Sequence, residues 1–272
     1  MPARTSFVTR HPVATFAALT VTLSWATACV PLPAQYKAQL FPLIIICIPP
    51  LVGCALAALE GGGHAVRALL SSVTRNPAGL RGFILALGLP LVLWYGARGL
   101  AILLGLAPGL QARPAPLLVV MACVFGVSAA TEEMGWRGYA LPRLLERSSP
   151  LAAGLLLGIP WAAIHLPLHL PGMMSAGTPV VATIIALPAM SVAVTWVYLR
   201  TGRSVLAATL FHAGQNFFGF AVGLGMSDVE GAWLVAVVSG ATALIVMLVG
   251  GQRFARRSLV PRVISDEVML GG

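Results

Sequence analysis

Carboxylates are scarce in this sequence: eight Asp and Glu stand among 272 residues, and charged residues of all kinds make up only 9%. A soluble domain carries about a quarter of its residues as charged side chains, so a water-covered surface of ordinary composition is excluded. Hydrocarbon takes the place of charge, with 58% hydrophobic residues and a mean hydropathy of +0.90. Cysteine is also sparse. Cys29, Cys47, Cys54 and Cys123 all fall in apolar runs, with no CxxC spacing and no CxxC-plus-His pattern, which excludes a disulfide framework or zinc ribbon and leaves reduced packing residues. The net charge of +9 comes from arginines in short loops and not from a patch interleaved with aromatics, so nucleic acid is excluded as a partner. No internal repeat or low-complexity tract breaks the chain. The expectation is an all-α polytopic membrane bundle, one transmembrane domain over residues 1–272, with the lipid bilayer as its solvent.

Apolar runs of about 20 residues predict roughly eight transmembrane helices: Pro12 to Leu32, Gln39 to Leu59, Gly82 to Leu106, Pro116 to Glu132, Leu151 to Leu170, Pro179 to Leu199, Ser204 to Gly225 and Gly231 to Gly250. With both termini cytoplasmic, fourteen of the seventeen basic residues lie inside (Arg4, Arg10, Arg67, Arg75, Arg81, Arg137, Arg143, Arg147, Arg200, Arg203, Arg253, Arg256, Arg257 and Arg262). Lys37 and Arg113 fall outside and Arg98 within the third span. The positive-inside rule thus orients the chain as a multi-pass protein of the plasma (inner) membrane. The first run is too long for a signal-peptide core and is expected to be retained. Pro49 and Pro50 are expected to break or kink the second span, Glu60 to Arg81 to form a cytoplasmic loop in which His64 is solvated, and Gly138 to Arg147 a short interfacial helix. The tail from Arg253, with Asp266 and Glu267, reads as a solvated end.

Against this background, Thr131 to Tyr139 (TEEMGWRGY) places two adjacent carboxylates and an arginine at the end of an apolar run. An ionisable cluster at the edge of hydrocarbon is a functional hypothesis by default. On a helix, Glu133 and Arg137 stand at i and i+4, where opposite charges meet, and Glu132 is turned about 100° from them. Two further spans carry polar pairs. The fifth sets Trp161, His165 and His169 at steps of four, distorted by Pro167, and the seventh sets His212 and Asn216 at i and i+4. Taken singly, each has a plain structural explanation: a solvated cap, a histidine bonded to a carbonyl, or an amide joining helices. Three such pairs on separate helices point to one shared site. At 1.5 Å per residue His212 lies about 12 Å deep and His165 about 22 Å. They meet only if the fifth helix starts above the surface or bends at Pro160, and both are expected.

A desolvated carboxylate becomes a better base near neutral pH. An imidazole beside it shares or orients the proton of a water, and a second imidazole with an amide N–H donates to an oxyanion. No serine or cysteine nucleophile is placed among them. The set therefore suits amide hydrolysis by an activated water. Glu132, His165 and His212 would equally suit a catalytic divalent metal such as zinc, which takes Glu and His ligands and keeps a position open for water. Both chemistries stay open at this point, as do a proton-coupled transporter and a peptide-binding or immunity protein that does not cut.

These residues resemble the family of CAAX prenyl proteases and bacteriocin-processing enzymes, known as the CPBP or ABI family of intramembrane proteases. The resemblance is carried by EExxxR at Glu132, Glu133 and Arg137, an aromatic-xxx-His at Trp161 and His165, and His-xxx-Asn at His212 and Asn216, in that order and at family-like intervals. It implies a catalytic core over about residues 116–225 and an endopeptidase, glutamate-dependent and in some members metal-dependent, acting on a membrane-associated peptide or protein, prenylated or leader-bearing. It further implies Glu132 as the base, His165 as its assistant, His212 and Asn216 as oxyanion donors, and Glu133, Arg137, Trp161 and His169 in support. Trp161 replaces the phenylalanine common in the prenyl-protease branch, and His169 its asparagine.

Overall fold

The computed structural model describes residues 7–75, 77, 79–105, 109–110, 113–223 and 228–256, and among these there is no strand. In chain order the helices are α1 (Phe7–Arg10), α2 (Pro12–Ala28), α3 (Ala34–Ser72), α4 (Gly79–Leu103), α5 (Ala115–Glu133), α6 (Leu141–Leu145), α7 (Pro150–His165), α8 (Val180–Arg200), α9 (Val205–Ala221) and α10 (Val229–Ala255). A π-helical segment, Met134–Ala140, joins α5 to α6, and a 3₁₀ turn, Leu166–His169, follows α7. Each of the eight predicted spans corresponds to one long helix. Six of them are long and apolar enough to cross a bilayer. The other two, α2 and α9, have 17 residues each, roughly 25 Å of helix against about 30 Å of hydrocarbon. The chain is a multi-pass integral membrane protein. The predicted span ends Leu106 and Gly225, and Arg4, Arg257, Arg262, Asp266 and Glu267, lie outside the described residues.

Five local expectations are corrected. Pro49 and Pro50 do not break α3, whose only non-helical backbone is at Gly61 and Gly62. Gly62, at φ +61°, takes a conformation that L side chains rarely adopt. The glycines make a bend and not a loop, after which Gly63 to Ser72, rich in Ala and Leu, returns to helix; His64 there is exposed. The predicted interfacial helix is instead a direct continuation of α5 through the π segment, with Leu141 fully buried. Helix α7 passes Pro160 without a non-helical residue. The cysteines are free, but Cys29, Cys47 and Cys123 are exposed on the bundle's outer surface and so are not core packing residues.

Close approach at two glycines sets the frame of the site. A Cβ on Gly135 would stand 2.5 Å from the Pro49 carbonyl carbon, and one on Gly158 would stand 2.4 Å from Pro188 Cα. The π segment therefore lies directly on α3, and α7 directly on α8. Phe16 of α2 is fully buried against Trp136 and Tyr139, with ring centroids 5.1 and 5.5 Å away, so the first span is part of the same core. At the opposite end of the bundle Lys37 donates to the Ala28 carbonyl (2.7 Å) and Arg113 to that of Phe220 (2.9 Å). Both cations thus cap helix C-termini, where the dipole favours them.

Candidate active site

Helix α5 ends at Glu133, so both glutamates sit where regular α-helix gives way to the wider π turn, an irregularity often found at functional sites. Glu132 is 3% exposed and Glu133 and Arg137 are fully buried. Arg137 Nη1 donates to Glu133 Oε1 at 2.9 Å, the i, i+4 pair expected from spacing, and Nη2 donates to Ser191 Oγ of α8 at 3.1 Å. Glu132 faces α7, where Trp161 Nε1 donates to its Oε2 at 2.7 Å. Its Oε1 takes no hydrogen bond from the described residues. Glu133 spends its Oε1 on structural partners and keeps a buried Oε2 with none, while Glu132 is held only through the oxygen that faces Trp161.

Trp161 is the hub of the cluster. Its indole lies under the Arg137 guanidinium, 4.9 Å from Cζ, and meets His212 edge-on at 5.1 Å and His165 at 6.2 Å between centroids. The difference in depth between the two histidines is bridged by this ring, one turn before His165, and not by a bend in α7. His165 Nδ1 donates to the Trp161 carbonyl at 2.8 Å. A carbonyl only accepts, so Nδ1 carries a proton and the neutral ring offers a lone pair at Nε2. His212 Nδ1 is 3.0 Å from Glu133 Oε1, so the partner of His212 is Glu133 and not Glu132. Adjacent glutamates thereby divide the site: Glu133 orients His212 and Arg137, and Glu132 faces Trp161.

Asn216 is half-buried one turn beyond His212, and its amide has no hydrogen-bond partner among the described residues. His169 stands apart. Its Nε2 bonds Thr183 Oγ1 at 2.9 Å and its Nδ1 lies 3.1 Å from Thr178 Oγ1, so it fastens the segment between the 3₁₀ turn and α8. The 3₁₀ turn starting at Leu166 takes it off the face that Trp161 and His165 share. The metal set of Glu132, His165 and His212 does not fit: among the described residues no three His, Cys, Asp or Glu side chains gather in a group that holds a metal ion. Sequence reasoning missed Ser191, which lies 54 residues from Arg137 in an apolar helix and carries no local signal. It also missed Glu60, which accepts from Tyr139 Oη at 2.7 Å and pairs with Arg143.

Residues 114–218 match the family model described as type II CAAX prenyl endopeptidase Rce1-like. The similarity covers this part of the chain alone. A curated relative, CAAX prenyl protease 2 of Methanococcus maripaludis, is 30% identical over 106 residues, which cover 36% of this chain and 37% of the relative. The match therefore spans little more than a third of either protein. The matched segment runs from the start of α5 into α9 and takes in Glu132, Glu133, Arg137, Trp161, His165, His212 and Asn216.

Proposed function

We propose that this protein is an intramembrane endopeptidase that hydrolyses a peptide bond of a membrane-associated protein, from the cytoplasmic side of the plasma membrane. The observation that carries this is Glu132: a buried carboxylate held by Trp161 through one oxygen only, with two imidazoles on the same indole. A water on Glu132 Oε1 loses its proton to the carboxylate as it adds to the substrate carbonyl. His165, with its lone pair at Nε2, shares that proton and returns it to the departing amine as the C–N bond breaks. His212, fixed through Nδ1 by Glu133, turns Nε2 to the oxyanion and donates when the ring carries both protons. The unpartnered Asn216 amide supplies a second donor. This chemistry needs no metal, and elemental analysis of active protein tests that directly.

The deciding experiment compares membrane-protein termini in cells expressing wild type and Glu132→Gln at equal levels. New termini that depend on Glu132 are expected, with a rate loss of at least about 10²-fold in the variant, the lower end of what a general base supplies. Equal termini in the two samples, with both proteins inserted and folded, would overturn the assignment in favour of a binding role.

A further inference from the structure

A cavity of about 740 Å³ lies at the end of the bundle that the arginines mark as cytoplasmic, and the chemistry above makes no use of it. Its volume is within the range of small-molecule sites, about 300–1,000 Å³. Arg75, Arg137, Arg143 and Arg203 line it, together with Tyr198 and an apolar wall from α3 that includes Ala57 and Leu69, and no Asp or Glu is in the lining. Glu60 pairs with Arg143 and Glu133 with Arg137. Four guanidinium groups set against two carboxylates leave two positive charges in excess. Arg75 has only neutral partners, the Ala68 carbonyl and Ser71 Oγ, and Arg203 makes no side-chain hydrogen bond or ion pair among the described residues.

Two further observations point to a ligand. Arg137 is fully buried and its Nε has no partner, although such groups are expensive to leave unpaired. Arg203 holds φ +64°, the left-handed conformation in which glycine or asparagine is the cheaper residue. Strain of this kind at a charged residue marks a position where the side chain, and not the turn, is being kept.

We infer that this cavity binds the phosphate of an anionic lipid headgroup. Guanidinium forks match phosphate oxygens two at a time, and basic pockets between membrane helices on the cytoplasmic side are a recurring headgroup site. The apolar wall continues outward on α3, where Leu59 and Leu70 are exposed, giving the acyl chains a path.

Native mass spectrometry of the purified full-length protein tests this, with phosphatidylglycerol, phosphatidylcholine and inorganic phosphate titrated separately. Wild type is expected to bind phosphatidylglycerol about tenfold more tightly than phosphatidylcholine, in keeping with two unopposed arginines near the headgroups. The double variant Arg75→Gln/Arg203→Gly removes both free cations, and glycine at 203 suits the backbone, so the fold is kept while the preference falls to about twofold or less. Inorganic phosphate is expected to leave the lipid bound, and its full displacement of the lipid would overturn the headgroup assignment in favour of free phosphate. Equal binding of the two lipids by wild type, or an unchanged preference in the variant, would overturn the site itself.

Discussion

Two Glu–Arg pairs in this protein have the same chemistry and different surroundings. Glu133 and Arg137, four residues apart, are both 0% exposed, and the guanidinium lies 4.9 Å over the Trp161 ring. Glu60 and Arg143, 83 residues apart, have side chains 23% and 28% exposed, and the guanidinium lies 3.8 Å over the Tyr139 ring. Charge, hydrogen bonding and aromatic support are alike, so the contrast isolates burial. In the first pair each ion has protein partners alone, because neither has water to fall back on. In the second, water stands in for either partner. The inner pair is therefore committed to holding the site, since the same Glu133 oxygen also accepts from His212. The outer pair joins α3 to α6 from the rim.

The largest effect expected from breaking this symmetry is at Arg137. Arg137→Met leaves Glu133 buried without its cation and should cost about 3–5 kcal/mol, read as a fall in unfolding free energy in bicelles. Trp161→Phe keeps the ring beside His165 and His212 but removes the donor to Glu132. It should cost about 1.5–3 kcal/mol, the range for a hydrogen bond to a charged group, and slow proteolysis more than it weakens the fold. Gly158→Ala forces α7 off Pro188 and should cost about 1–3 kcal/mol, with the change confined to stability if Trp161 repacks. The smallest effect belongs to the outer pair. Arg143→Met should change stability by no more than about 1 kcal/mol. A loss there as large as that for Arg137→Met would show that the rim is sealed from water and would remove the contrast.

Much of the site was legible in the sequence because it is built from i, i+4 spacing on membrane helices. Glu133–Arg137 and Trp161–His165 follow from the helical repeat alone, and in hydrocarbon such groups must find partners. The pairing of His212 with Glu133 was not legible. Adjacent glutamates differ by one residue, and which of them a third helix reaches depends on how α9 rotates against α5. His169 shows the same limit, because a 3₁₀ turn after His165 was enough to send it to Thr178 and Thr183. Glu60 was assigned to a loop since three consecutive glycines look like one, although packing keeps the chain helical on both sides of the bend.

Composition and periodicity by themselves determined that this chain is a helical membrane bundle, where its helices lie, and which few polar residues it keeps, because hydrocarbon punishes every unpaired charge. Tertiary structure alone decided which glutamate His212 reaches, that Trp161 and not a helix bend joins the two histidines, and that four arginines from separate parts of the chain share one cavity. Those outcomes depend on helix rotation and on backbone contact at Gly135 and Gly158, distances of a few ångströms that no local pattern encodes.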